Sequence, residues 1–243
     1  MKFVLAPDKF KGSLTGLEFC AAVEEGIRSV MPDVDILKLP LADGGDGTIE
    51  VVNYYLKGEV VTIEVNNPFF QPINASYLYA ESTKTAFIEM AEASGVKLLS
   101  TEELDCKNAT TLGTGEMIVD AIDKGALTIL IGIGGSATND CGIGMATALG
   151  YEFLDKNDQI VKPIGANLSH ITKIDTSNVH SKLGKVVFDV ACDVTNLLYG
   201  ANGAAHVYAA QKGATPEEIR TLDKGLHDFS RIINSFFKVD AQS

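Results

Sequence analysis

The sequence predicts an α/β fold, and three observations carry the prediction. Short apolar runs alternate with stretches of helical spacing, one block reads instead as consecutive hairpin strands, and several apolar runs end in loops rich in Gly and Asp. At 243 residues the chain accommodates one large or two modest domains. Its 46% hydrophobic and 21% charged residues are the balance of a protein with a sizeable core.

Residues 1–6 form a short apolar run that meets Pro7-Asp8. Leu14, Leu17, Phe19, Ala22, Val23 and Ile27 then recur near helical spacing, giving strand, polar loop, helix. Residues 34–39 predict a second strand, closed by Pro40 and followed by Ala42-Asp43-Gly44-Gly45-Asp46-Gly47, with a helix over 48–56. Runs 60–65, 73–80 and 85–90 are joined by the turn residues Asn67-Pro68 and Ser82-Thr83-Lys84, and such short connections predict antiparallel pairing. A helix over 114–124 leads to the strongest buried strand, 127–133, then a Gly-rich turn and a helix over about 141–149. A parallel or mixed sheet is the natural home of such a strand. Residues 186–191 read as another buried strand ending at Cys192-Asp193, and 216–237 as a helix. The change from alternating to hairpin pattern places a domain boundary near residue 58, dividing the chain into 1–58 and 59–243.

The formal charge of −12 repels phosphate backbones and anionic membrane surfaces, so neither nucleic acid nor membrane is an expected partner. An anionic substrate needs local cations or backbone N–H groups to hold it. Cys20, Cys106, Cys141 and Cys192 form no CxxC pair and predict reduced thiols rather than a zinc ribbon or disulfide framework. The apolar N-terminal run is too short for a signal sequence, and none approaches the ~20 apolar residues of a membrane span, so a cytoplasmic protein is expected. His170, His180, His206 and His227 do not fall at metal-ligand spacing.

Four loops follow strand candidates, where ligands bind in open α/β sheets: 7–13, 42–48, 132–140 and 192–196. They are expected to line one cleft. In Gly132-Ile133-Gly134-Gly135-Ser136-Ala137-Thr138-Asn139-Asp140, glycines let the backbone approach an anion, and N–H groups at a helix start favour phosphate. A tight strand-to-helix turn with Ser136, Thr138 or Asn139 merely capping is the plainer alternative. Asp43 and Asp46 stand three apart among glycines and could hold Mg²⁺ or simply form a polar turn. Lys9 and Lys11 put cations at the mouth of the first strand, suited to phosphate or a carboxylate. Asp193 sits where a general base, a metal ligand or a helix cap could stand.

Residues 6–14 (APDKFKGSL), 40–48 (PLADGGDGT), 88–95 (IEMAEASG), 113–116 (GTGE), 131–140 (IGIGGSATND) and 192–196 (CDVTN) together resemble the type-1 glycerate kinase family, in order and along the whole chain. The resemblance implies ATP- and Mg²⁺-dependent phosphorylation of D-glycerate, leaving the 2- or 3-hydroxyl open. It also implies two α/β domains: a Rossmann-like parallel-sheet domain interrupted by a second domain with a mixed sheet. On the matching positions, Asp193, Asp46 and Lys9 are the catalytic candidates. Lys11, Ser13, Gly134, Gly135, Ser136, Thr138 and Asn139 are assigned to substrate or phosphate, and Asp43 and Asp140 to metal. Cys141 departs from the family's usual Gly and is expected to narrow the phosphate loop; Leu197 and Ala201 replace prolines. The family continues past residue 243, so the Rossmann-like domain is expected to be incomplete. Its first two strands would then pair with a second copy, or the chain would be a weak or inactive nucleotide- or sugar-acid-binding fragment.

Overall fold

The computed structural model describes residues 1–8, 10, 13–42, 48–192 and 194–241. Strand β1 (Lys2–Leu5) pairs in parallel with β2 (Asp35–Lys38), across helix α1 (Gly16–Val30). Helix α1 starts where the Thr15 hydroxyl accepts the Glu18 N–H at 3.2 Å and the Glu18 carboxylate accepts the Thr15 N–H at 2.8 Å. β1 and β2 form their own sheet, and Val4 and Leu37 on it lie exposed. Helix α2 (Thr48–Leu56) follows.

Among the described residues the main sheet has five strands. β3 (Glu59–Asn66), β4 (Pro72–Ala80) and β5 (Thr85–Glu89) pair antiparallel in sequence. After the single turn α3 (Ala91–Ser94) and helix α4 (Leu112–Lys124), β6 (Thr128–Gly132) joins β5 in parallel. The short helix α5 (Ile143–Ala148) and the antiparallel pair β7 (Glu152–Leu154) and β8 (Lys173–Asp175) lead to β9 (Val187–Ala191), parallel to β6 at the sheet's end. Helices α6 (Ala204–Tyr208) and α7 (Pro216–Phe237) complete the order. The mixed sheet inferred from hairpin and buried-run patterns is therefore present. Helix α2 ends at Leu56 and packs on β4 and β5, beyond the expected boundary near residue 58.

Two cores hold these elements. Helix α4 buries Met117, Ile118, Ala121 and Ile122 against Tyr77, Ile88 and Ile129 of the main sheet. Tyr77 keeps its hydroxyl satisfied by donating to Asp120 at 2.5 Å. Helix α7 turns Leu222, Leu226 and Phe229, at helical spacing, onto Phe153, Leu168 and Ile174. Each such side chain contributes about 1.5–3 kcal/mol on burial. Among the described residues, no helix is long and apolar enough to cross a membrane.

Two expectations are corrected. β9 is not buried: it is an outer strand, and Val187 and Val190 are 58% and 55% exposed. Its apolar composition cannot distinguish a strand covered on both faces from an uncovered one. The helix expected over 141–149 begins only at Ile143, because Cys141 and Gly142 take φ of +52° and +72°. The β7–β8 pair and the short helix α6 are too brief to leave a periodic pattern.

Candidate functional site

Strands β5, β6 and β9 run parallel and end level, with Glu89 in register with Gly132 and Gly132 with Ala191. The loops that follow them therefore collect at one edge of the sheet. After β6 the chain turns through Gly134-Gly135-Ser136. Gly135 has φ +71°, a conformation costing other residues roughly 1–2 kcal/mol. The turn is clipped to the chain after α3: the Gly135 carbonyl accepts from Val96 N–H at 2.9 Å, and Ala137 N–H donates to the Ser94 carbonyl at 2.8 Å. The N–H groups of Gly134 and Gly135 have no backbone acceptor among the described residues.

A cleft of about 610 Å³ opens between this turn and the segment after β9. Gly134, Gly135 and Ser136 line it from β6, and Cys192 and Val194 from β9. Two of the four predicted loops thus share a cleft. Of the other two, residues 9, 11, 12 and 43–47 lie outside the described residues; Leu41 N–H, just before 42–48, donates to the Pro7 carbonyl at 2.8 Å.

Lys212, which the sequence reading passed over, also lines this cleft. Its ammonium donates to Ser136 Oγ at 2.7 Å and to the Thr138 carbonyl at 2.9 Å. Desolvation holds its pKa below the ordinary lysine range. Cys106 is close by, but burial pushes that thiol up to about 11, so it is neutral near pH 7. The main chain fixes the lysine from both sides. Its carbonyl accepts from Cys106 N–H at 3.1 Å, and Gly213 follows at φ +92°, so close that a Cβ would lie 2.0 Å from the Leu104 carbonyl oxygen. The only sequence signal was a lysine placed directly before a glycine in an acidic chain.

Asp140 has a different role from the metal ligation expected of it. It is 1% exposed, and Oδ2 accepts from Thr111 N–H and Thr111 Oγ1, both at 2.8 Å, and from Gly144 N–H at 3.2 Å. Oδ1 accepts from Gly142 N–H at 3.2 Å. The carboxylate therefore takes up the N–H groups at the start of α5 that a phosphate would have used. Asp140 thus ties the start of α5 to Thr111, and the Gly134-Gly135-Ser136 turn that lines the cleft lies seven or more residues before α5.

Ser13 is exposed in a tight turn, its N–H donating to the Phe10 carbonyl at 2.9 Å, and is not among the residues lining the cleft. Thr138 and Asn139 are buried, and Asn139 Oδ1 has no hydrogen-bond partner among the described residues. Cys141 packs with the α7 core and does not line the cleft, so it does not narrow it. Glu89, at the end of β5, is buried. Lys9, Lys11, Asp43, Asp46 and Asp193 lie outside the described residues. The described residues bring together no cluster of three metal-ligating side chains.

Comparison with known proteins identifies the family and the fold. The glycerate kinase family model matches residues 3–243. A glycerate kinase of Haemophilus influenzae is 45% identical over 232 residues, covering 96% of this chain and 61% of the relative. A glycerate 2-kinase of Escherichia coli is 42% identical over 242 residues, covering 100% of this chain and 64% of the relative. A crystal structure assigned as glycerate kinase 2 of Salmonella typhimurium LT2 superposes with a TM-score of 0.93 at 44% identity, over 100% of this chain and 65% of that one. The chain thus spans under two thirds of the length of these relatives.

Proposed function

The chain belongs to the glycerate kinase family, and from that premise we propose that the protein transfers the terminal phosphoryl group of ATP to D-glycerate. The name of the Escherichia coli relative favours the 2-hydroxyl as acceptor. The observation that carries the reading is the cleft in which a Gly134-Gly135-Ser136 turn faces the segment after β9.

Phosphoryl transfer asks little covalent chemistry of a protein and much positioning and charge neutralisation. Backbone N–H groups of Gly134 and Gly135, with the Ser136 hydroxyl, suit the phosphates. Thr138 and Asn139 support the turn. Asp193, which follows Cys192 in sequence, is the candidate base: it takes the hydroxyl proton as the acceptor oxygen bonds to phosphorus and the bond to the ADP oxygen breaks. Lys9, Lys11 and Ser13 are the candidates for the glycerate carboxylate, with Asp46 orienting the acceptor. Both oxygens of Asp140 are already bonded within the protein. Metal binding is left to Asp43, and no step is drawn through it. Cytoplasmic placement belongs to the same proposal.

A coupled assay for ADP release tests it. D-Glycerate-dependent release is expected, falling by about 10²-fold in Asp193→Asn and in Asp43→Asn. Nucleotide binding without any release would reassign the chain to binding alone.

A further inference from the structure

We propose that the Lys212 ammonium holds the phosphate chain of the nucleotide in this cleft. The inference deepens the kinase reading and rests on it for the identity of the anion.

The first ground is incomplete pairing. An ammonium has three N–H donors, and those of Lys212 are matched here by two neutral acceptors, Ser136 Oγ and the Thr138 carbonyl. Among the described residues, no carboxylate hydrogen-bonds to it. The nearby acid, Asp140, has its oxygens bonded to Thr111, Gly142 and Gly144, and Cys106 is a neutral thiol near pH 7. A desolvated cation whose hydrogen-bond partners are neutral, with Asp140 attracting it only from a distance, is costly to keep, and an incoming oxyanion lowers that cost.

The second ground is placement. Lys212 shares the cleft with Gly134, Gly135 and Ser136, whose backbone admits close approach by an anion. Its own bond to Ser136 ties the cation to that turn, so a phosphate oxygen accepting from Lys212 is also within reach of the glycine N–H groups. The main-chain restraints at Cys106 and Gly213 keep the ammonium there before any ligand arrives.

Calorimetric titration with inorganic tripolyphosphate, which carries the phosphate chain without base or sugar, tests the assignment. Lys212→Met is expected to bind it at least about tenfold more weakly, the scale of one charge-assisted hydrogen bond, and Lys212→Arg to recover part of the loss. The thermal midpoint of Lys212→Met is expected to be unchanged or higher, because a desolvated charge has gone; a purely structural lysine would lower it. If Lys212→Met does not fold, Lys212→Gln serves in its place. Unchanged tripolyphosphate affinity in the variant, or a loss confined to D-glycerate, overturns the assignment, as does a wild-type chain that does not bind tripolyphosphate. A wild-type chain that binds it at Lys212 yet never turns over glycerate overturns the kinase reading and leaves this assignment standing.

Discussion

Asp140 accepts both the backbone N–H and the hydroxyl of Thr111 on one oxygen, each at 2.8 Å, and so joins the start of α4 to the start of α5. The same carboxylate holds Gly142 and Gly144. Replacing it by Ala strands several buried donors at once, and about 3–5 kcal/mol of stability should be lost. Urea unfolding measures this directly. A metal ligand with no structural role would instead leave the metal-free protein nearly as stable as wild type.

Gly135 and Gly213 separate strain from collision. At Gly135 an added Cβ meets nothing closer than 3.5 Å, so Gly135→Ala should cost only the left-handed conformation, roughly 1–2 kcal/mol. At Gly213 the Cβ would collide with the Leu104 carbonyl as well. Gly213→Ala should therefore cost more than Gly135→Ala and displace Lys212. Thermal unfolding of the two variants side by side gives the order, and the reverse order would refute it.

Acid stability should report on Glu218. Its carboxylate accepts from Lys107 and closes the cap of α7 by accepting from Thr215 N–H and Oγ1, both at 2.9 Å. These partners, Lys107 first, hold its pKa at about 2 against an ordinary 4.5. A depressed folded pKa contributes stability above the unfolded value and loses it as pH falls through the folded one. The contribution should therefore fade between about pH 4.5 and about pH 2. Glu218→Gln should flatten that limb, and added salt should weaken it because the Lys107 pair is partly exposed.

The mixed sheet, α1, α2, α4 and α7 were legible because each element is long enough for its spacing to repeat. The glycine turn was legible as a candidate anion site, but the lysine beside it was not. Lys212 reaches Ser136 from 76 residues away in sequence, and no local pattern marks that approach. The Gly113–Glu116 motif shows the opposite gap, a recognisable signature whose work is packing. A Cβ at Gly113 would lie 1.9 Å from the Asn66 carbonyl oxygen, and Glu116 accepts from Asn66 N–H at 2.7 Å and Asn66 Nδ2 at 2.6 Å. A motif thus identifies a family without saying which of its residues meet substrate. Asp140 makes the same point inside the site, since spacing alone cannot tell a carboxylate that faces a ligand from one that ties two helices together.

Strand β9 supplies the last test, because its sequence and its setting disagree. Val187, Phe188 and Val190 have the composition of a covered strand, yet among the described residues β9 pairs only with β6, and Val190 is 55% exposed. An exposed position tolerates substitution within about 0.5 kcal/mol, whereas cutting a fully buried residue such as Ile129 to Ala should cost about 2–5 kcal/mol. Val190→Lys should therefore leave the urea midpoint close to wild type, while Ile129→Ala lowers it clearly. Lysine on an open strand also discourages pairing with another chain, so light scattering at rising concentration should show less association for Val190→Lys than for wild type. A loss of more than about 2 kcal/mol in Val190→Lys would mean that β9 is packed in solution and that its outward face is covered.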